Sequence, residues 1–212
     1  MISLIVTTAC GDPLVAEQHG GAGQGQRHAQ RIKFLNEKIL PAAINIGELD
    51  EIIVAGRPSD ELKQFEGVTY LWVPPIVRDR SESLHIREIA SRYSIGDILI
   101  YTADDHMLGD DFVSNMPTWD WDILTPMRIN GADGNEMNSG DPASKWANFD
   151  GYSPAHCQVL KRPVWAEVPW TTIRSVEAWD IPISIKWREA GFELKWTDEI
   201  HAVDLEAKED EE

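Results

Sequence analysis

Hydrophobic residues in the first half of the chain come in short runs that alternate with amphipathic segments. Four apolar runs predict buried strands, at residues 3–8, 50–55, 68–73 and 97–102. Apolar positions at helical spacing predict helices over residues 27–44 and 81–93. Strands that alternate with helices in this way indicate an α/β fold with a mainly parallel sheet covered on both faces.

The second half of the chain has a less regular pattern. Residues 157–160 and 193–196 predict two further strands, and residues 176–190 predict a helix. The regular part of this helix should begin near Pro182, because proline is tolerated only in the first turn. Residues 130–144 are rich in Gly, Asn and Asp and predict a long loop, which is a candidate lid over a binding site.

Composition limits the number of domains and the kinds of partner. The chain has 212 residues, of which 42% are hydrophobic, and this is enough for one substantial core. We therefore expect a single domain over residues 1–205, followed by an acidic, disordered tail at residues 206–212. The formal net charge of −17 argues against non-specific binding to nucleic acid, whose phosphates require Lys and Arg.

Cysteine content and hydropathy suggest a cytoplasmic location. Cys10 and Cys157 are too few for a disulfide framework, which favours a reduced compartment. The N-terminal apolar run is too short for a signal peptide, and no window has the length of a membrane span. We expect no membrane partner, and the oligomeric state is left open.

The most informative polar cluster is Asp104-Asp105-His106, which directly follows a predicted strand. In parallel sheets, ligands bind beyond the carboxyl ends of the strands, so this cluster is a candidate cation site. Carboxylate oxygen together with imidazole nitrogen suits an ion such as Mn²⁺. If the segment is extended, Asp104 and His106 project to the same side. The alternative is a solvated junction between strand and loop, or an acid that caps the next turn.

Two other places contain candidate functional residues. His201 follows the last predicted strand, and it becomes a candidate ligand only if the fold returns it to Asp104 and His106. Glu177 and Asp180 stand three residues apart at the start of a predicted helix and would share one face. Either could act as a general base, or Asp180 could simply cap the helix.

In their order along the chain, these segments resemble a glycosyltransferase of the GT-A fold. The matching parts are the first strand, the block at residues 84–106, and the segment at residues 177–194. The block at 84–106 is similar to the family's helix, its Gly-Asp strand start, and its metal-binding Asp-x-Asp or Asp-x-His motif. His201 stands where many members carry a third metal ligand. The resemblance covers residues 1–205 and implies a mostly parallel central sheet flanked by helices.

The resemblance implies metal-dependent transfer of a sugar from a nucleotide-diphosphate sugar donor to a hydroxyl acceptor. The implied ion is Mn²⁺ or Mg²⁺, held by Asp104, His106 and His201 against the donor diphosphate. The residues that the resemblance places near the nucleotide are Thr8, Ala9, Arg78, Arg80, Arg87, Asp104 and Asp105.

The chain also departs from the family's pattern. Inverting members of family 2 usually have Glu-Asp at the acidic motif, with the Asp as base, whereas here Ala178 follows Glu177. Asp180 or Glu177 would then have to serve as the base. The Asp-x-His form with a later His resembles the polypeptide N-acetylgalactosaminyltransferases, which retain configuration. The stereochemical outcome therefore stays open.

Two alternatives remain at the level of sequence. One is a nucleotidyltransferase of related architecture, which would usually carry a Gly-rich loop with Arg or Lys directly after the first strand. Here Gly11-Asp12-Pro13 follows, and the first lysine is Lys33. The other is a nucleotide-sugar-binding protein without transfer activity, which Ala178 keeps open.

Overall fold

The computed structural model describes residues 1–8, 24–74, 82–137, 153, 156–173 and 180–206. Within these residues, nine strands form one sheet: β1 (Ile2–Thr8), β2 (Glu51–Gly56), β3 (Val68–Trp72), β4 (Ile98–Ala103), β5 (His106–Leu108), β6 (Ile123–Asn130), β7 (Glu136–Met137), β8 (Cys157–Lys161) and β9 (Leu194–Asp204). The α-helices are α1 (Gln24–Phe34), α2 (Leu40–Asn45), α3 (Glu82–Tyr93), α4 (Arg162–Glu167) and α5 (Asp180–Glu189). A π-helical turn (Leu35–Ile39) joins α1 to α2, and a short 3₁₀ turn (Trp170–Thr172) follows α4.

The first half of the chain forms the parallel part of the sheet, as its pattern predicts. Strands β3, β2, β1 and β4 lie side by side, and each neighbouring pair is parallel. Leu4, Ile5 and Val6 on β1 are completely buried. A strand whose two faces are both covered by helices needs such a continuous apolar run.

The second half of the sheet contains both parallel and antiparallel pairs, whereas the sequence predicted a mostly parallel sheet. The order continues from β4 through β8, β6 and β9 to β5, and β7 pairs with β6. Of these pairs only β6 and β9 are parallel. The fold is nevertheless the expected α/β architecture, with a curled sheet and helices on its faces.

Strand β9 is longer than the predicted strand at residues 193–196. Its sequence is interrupted by the exposed acids Asp198 and Glu199, which hide the apolar alternation. The register against β6 shifts at this point, between Pro126 and Met127. Such an irregularity lets β9 continue past these polar residues to Asp204, which ends the strand.

Two hydrophobic clusters lie on the two faces of the sheet. One contains Leu35 and Leu40 from the α1–α2 region together with Leu4 of β1. The other contains Leu84 of α3 and Trp187 of α5. None of the helices in the described part of the chain is long and apolar enough to cross a membrane.

Candidate functional site

The direction of strand order changes at β1. Strands β2 and β3 extend to one side of β1, whereas β4 lies on the other side. In open α/β sheets, ligands bind in the crevice at the carboxyl ends of the strands at such a switch point. Thr8 ends β1 and Asp104 follows β4, so both lie at this crevice. The Thr8 hydroxyl donates a hydrogen bond of 2.6 Å to Asp104 Oδ2.

Asp104 is held on both carboxylate oxygens. Thr8 donates to Oδ2, and Arg31 of α1 donates to Oδ1 at 2.5 Å. Only 1% of Asp104 is exposed. Burial raises the pKa of Asp104 above its usual range, and the Arg31 guanidinium only partly opposes this effect. Arg31 thus supplies the positive charge that compensates the buried carboxylate of Asp104. The sequence did not predict this role, because Arg31 is a single basic residue on an amphipathic helix.

Arg31 connects the carboxylate pair to the C-terminal end of the described chain. Its guanidinium donates to Asp105 Oδ2 at 2.8 Å and to Glu206 Oε1 at 3.1 Å. Burial lowers the pKa of Arg31, but the charges of Asp104 and Asp105 outweigh this effect and raise it overall. Glu206, which the sequence assigned to the disordered tail, is therefore fixed by an ion pair, and residues 207–212 lie outside the described residues.

The segment between β4 and β5 is a turn, not the extended stretch that would align Asp104 with His106. Asp105 Oδ1 accepts a hydrogen bond of 2.5 Å from His106 Nδ1. Although burial alone would raise the pKa of Asp105, this hydrogen bond and the charges of His106 and Arg31 lower it. The ring of His106 is turned by this bond so that Nε2 faces Asp204 Oδ2 at 3.9 Å.

His201 does not lie beside His106. In the antiparallel pair of β5 and β9, His106 is opposite Asp204, and Leu108 is opposite Ala202. His201 is three residues before Asp204, which corresponds to about 10 Å along a strand, and an odd separation directs its side chain to the other face of the sheet. There its ring packs against Gly109, where an added Cβ would lie 2.5 Å from His201 Nε2.

The predicted ligand set of Asp104, His106 and His201 is therefore not assembled around one point. More generally, the described part of the chain contains no group of three or more His, Cys, Asp or Glu side chains that could hold a metal ion. Both oxygens of Asp104 are engaged by Thr8 and Arg31. We consequently derive no metal geometry from that set.

His156 and Arg128 also lie at this edge and were not identified from the sequence. His156 immediately precedes β8, and its ring centroid is 5.7 Å from that of His106. Arg128 of β6 forms an ion pair with Asp204 Oδ2. Burial lowers the pKa of His156 to about 3, with smaller contributions from the charges of His106 and Arg128, so the ring is neutral at neutral pH.

Arg87, which the resemblance places near the nucleotide, lies inside the protein. It is 1% exposed, donates to the Gln158 side chain, and its guanidinium is 5.3 Å from the ring centroids of both Tyr101 and Trp170. Burial lowers its pKa to about 10. Arg87, which was expected to contact the nucleotide, is thus part of the core beneath α3. Trp170, 1% exposed, is likewise a core residue.

Asp180 is the first residue of α5. Its carbonyl oxygen accepts a hydrogen bond of 2.7 Å from the Ser184 hydroxyl, which in turn accepts one from the Ser153 amide at 3.0 Å. The Ser153 carbonyl accepts a hydrogen bond from the Gln158 amide group at 2.7 Å. These contacts fix the start of α5 against the segment that leads into β8.

The other predicted site residues lie outside the described residues: Ala9, Arg78, Arg80 and Glu177. The same holds for residues 138–144 of the predicted lid. Its first part is described and includes β7, which pairs with β6, so this stretch is not entirely loop.

No family model matches this sequence, and no curated protein matches it. Solved structures share its fold at low sequence identity. S. aureus TarS 1–349 in complex with UDP-GlcNAc matches with a TM-score of 0.59 and 11% identity, covering 98% of this chain and 59% of that one. The mannosyltransferase PcManGT from Pyrobaculum calidifontis, in complex with GDP-Man and Mn²⁺, matches with a TM-score of 0.55 and 15% identity, covering 99% and 58%.

GalNAc-T7 with UDP, GalNAc and Mn²⁺ matches with a TM-score of 0.56 and 14% identity, covering 96% of this chain and 43% of that protein. The inositol-1-phosphate CTP transferase from T. maritima has the same fold, with a TM-score of 0.54 and 11% identity. This chain spans about three-fifths of the length of TarS 1–349 and of PcManGT, and 36% of the chain in another TarS structure. At these identities the likeness establishes the fold alone: the protein has the GT-A-type fold that these enzymes share.

Proposed function

We propose that this protein transfers a sugar from a nucleotide-diphosphate sugar to a hydroxyl acceptor. The observation that carries the proposal is the Thr8–Asp104 hydrogen bond, which joins the ends of β1 and β4 across the topological switch point. The nucleotide diphosphate would bind in this crevice, next to Thr8, Asp104 and Asp105. UDP-GlcNAc and GDP-Man are bound by the TarS and PcManGT structures of the same fold.

The side chains at the crevice have different proposed roles in holding the donor. Asp104 and Asp105 are immobilised by Arg31, so this wall of the crevice is fixed before a donor binds. Ala9, Arg78 and Arg80 belong to the segments that follow β1 and precede α3, and we propose them as nucleotide contacts. Arg87 is excluded from this role by its burial.

Asp180 is the proposed general base, with Glu177 as the alternative. In the reaction, the acceptor oxygen bonds to the anomeric carbon while the bond from that carbon to the diphosphate oxygen breaks. Asp180 would accept the proton of the acceptor hydroxyl. The contacts of Ser184 and Ser153 hold the start of α5, and thereby Asp180, in place.

A divalent ion, Mn²⁺ or Mg²⁺, stays a prediction. When bound, it would supply Lewis-acid stabilisation of the charge that builds on the leaving diphosphate. His106 is the one predicted ligand whose ring nitrogen, Nε2, is buried without a hydrogen-bond partner in the described part of the chain.

The function is tested by measuring release of nucleoside diphosphate from a panel of nucleotide sugars, with Mn²⁺, with Mg²⁺ and with a chelator. We expect turnover with at least one donor. Absence of turnover across the panel would contradict the proposal. The same assay with nucleoside triphosphate and sugar phosphate, scored by pyrophosphate release, would instead reveal the nucleotidyltransferase alternative.

The role of Asp180 is tested with Asp180→Asn. We expect kcat to fall by about 10²- to 10⁴-fold, because a general base is lost, while donor affinity changes little. Asp198→Asn is a matched control, since Asp198 is an exposed acid on β9. An unchanged kcat in Asp180→Asn would reassign Asp180 to helix capping.

A further inference from the structure

We propose that a cleft between the segment after β5 and strand β9 binds a neutral oligosaccharide, and that this oligosaccharide is the acceptor substrate. The cleft has a volume of about 420 Å³ and is lined by Ser114, Asn115, Met116, Thr118 and Glu199. Ligand sites usually have volumes of roughly 300 to 1,000 Å³. The acceptor role rests on the proposed function, whereas carbohydrate binding can be measured without any donor.

The cleft is a different place from the donor crevice. Asp204 ends β9 opposite His106, next to the crevice, and Glu199 stands five residues earlier on the same strand. His201, which lies between them, is already about 10 Å from Asp204 along the strand. An acceptor that occupies the cleft and also presents a hydroxyl at the crevice must therefore contain several sugar units.

The first argument for a carbohydrate is an exposed indole at the rim of the cleft. Trp119 directly follows Thr118, is 41% exposed, and donates from Nε1 to Glu199 Oε1 at 3.3 Å. An indole combines a broad apolar face with one polar N–H, and the apolar face of a sugar ring can stack on such a surface. Trp119 thus places a stacking face beside the polar groups that line the cleft.

The second argument is that these polar groups match sugar hydroxyls. The lining contains the hydroxyls of Ser114 and Thr118, the amide of Asn115 and the carboxylate of Glu199. The hydroxyls and the amide can each donate and accept hydrogen bonds, and the carboxylate accepts them. A sugar hydroxyl also does both, so it can pair with every one of these groups. An ammonium ligand can only donate, and it would leave the donors of the lining without acceptors.

The third argument is charge, which decides the class of carbohydrate. Residues 109–121 and 196–200, which flank the cleft, contain no Lys, Arg or His and five acids, namely Asp110, Asp111, Asp120, Asp198 and Glu199. Lys161 pairs with Asp120 at 3.1 Å, so the balance around the cleft stays negative. A phosphorylated, sulfated or carboxylated sugar would be repelled by this field. A neutral oligosaccharide avoids that repulsion.

The fourth argument is that hydrogen bonds hold the walls of the cleft in place without a ligand. The Gly109 amide donates to the His201 carbonyl at 3.1 Å, which joins the segment after β5 to β9. The buried Trp121 donates from its indole to the Pro117 carbonyl at 3.1 Å, which fixes the stretch that carries Trp119. A preformed site loses less conformational entropy when its ligand binds.

The test measures binding of cellohexaose, maltohexaose, mannohexaose and chitohexaose to the protein without a donor, by calorimetry and by the indole ¹H–¹⁵N resonances. We expect at least one hexasaccharide to bind, and Trp119→Ala to weaken that binding about tenfold through loss of the stacked ring. Trp72→Ala is the matched control, because Trp72 is an exposed tryptophan on β3, at the far end of the sheet from β9. Equal losses in the two variants would overturn the site.

A second measurement keeps every tryptophan. Asn115→Ala should weaken binding of the same hexasaccharide by about 2- to 10-fold through loss of its hydrogen bonds, whereas Asn45→Ala, at an exposed asparagine that ends α2, should not. Affinity should also be insensitive to NaCl, because the ligand carries no charge. Tighter binding of spermine or of hexagalacturonate than of every neutral hexasaccharide would overturn the assignment, as would no binding of any hexasaccharide at millimolar concentration.

The binding site and the transferase function can fail separately. Hexasaccharide binding without turnover of any nucleotide sugar would refute the transferase function, and with it the acceptor role, but not the carbohydrate site. Transfer to a hexasaccharide whose KM is the same in the wild type and in Trp119→Ala would refute the site alone.

Discussion

Two neighbouring clusters at the carboxyl edge of the sheet use their polar atoms in opposite ways. In the Arg31 cluster (Arg31, Asp104, Asp105, Glu206), every carboxylate oxygen accepts a hydrogen bond from within the described protein. In the imidazole cluster (His106, His156, Asp204, Arg128), two buried ring nitrogens have no such partner. The carboxylates of the first cluster are all paired and fix the wall of the crevice, whereas the second cluster keeps two buried nitrogens unpaired among the described residues.

The largest effect is expected when the Arg31 cluster loses its cation. Arg31→Met would leave the buried carboxylate of Asp104 without its charged partner, and we expect the free energy of unfolding to fall by about 3 kcal/mol. Denaturant unfolding measures this loss. The control is Lys33→Met, which removes an ion pair with Glu37 in which both side chains are exposed, and which should cost no more than about 0.5 kcal/mol. Equal losses in the two variants would show that Arg31 is not the compensating charge.

The next effect concerns the imidazole cluster and pH. Burial lowers the pKa of His156 to about 3 in the folded state, while an unfolded histidine has a pKa of about 6.5. Below pH 6.5 the unfolded chain therefore binds a proton that the folded protein does not, and stability falls as the pH falls. Between pH 6.5 and 5 this contributes a loss of about 2 kcal/mol.

This pH dependence is measured by unfolding the wild type and His156→Gln in the presence of a chelator. The variant should lack that part of the slope because it has no titrating ring. If both proteins lose stability equally between pH 6.5 and 5, His156 is not a buried neutral imidazole in the folded protein.

The smallest effect sharpens the distinction between His201 and the imidazole cluster. A Cβ at Gly109 would lie 2.5 Å from His201 Nε2, so Gly109→Ala must displace that ring and should cost about 1 kcal/mol. Gly47→Ala is the control, because an added Cβ there meets nothing within 4 Å. Equal stability of Gly109→Ala and Gly47→Ala would contradict the packing of the His201 ring against Gly109.

The parallel half of the fold could be predicted because its signals are local. Apolar runs and helical spacing placed β1, β2, β3, β4 and α3 within one or two residues of their observed bounds. The position of Asp104 and Asp105 at the carboxyl edge follows from the same local order. The mixed half of the sheet was harder to predict from the sequence. Strand β5 is only three residues long, and the acids inside β9 obscure its alternation of apolar and polar residues.

The candidate site was predicted only in part for a related reason. Asp104, Asp105 and His106 form a contiguous cluster that stands out in the sequence. Arg31 and His156 have no such signal, since each is a single polar residue far away along the chain. The antiparallel register of β8 against β4 places Cys157 opposite Thr102, so His156 lies beside the end of β4. The turn that follows β4 then brings the ring centroid of His106 to 5.7 Å from that of His156.

The sequence by itself determined the alternation of strands and helices, because a buried strand or helix requires apolar residues at regular spacing along the chain. The order of these elements also determined that the acidic cluster lies at the carboxyl edge of the sheet. Only the tertiary structure decided which groups meet there. The register of β5 against β9 brought Asp204 to His106 and turned His201 to the other face. A shift of one residue in register exchanges the two faces of a strand, so no distance along the sequence could have made that choice.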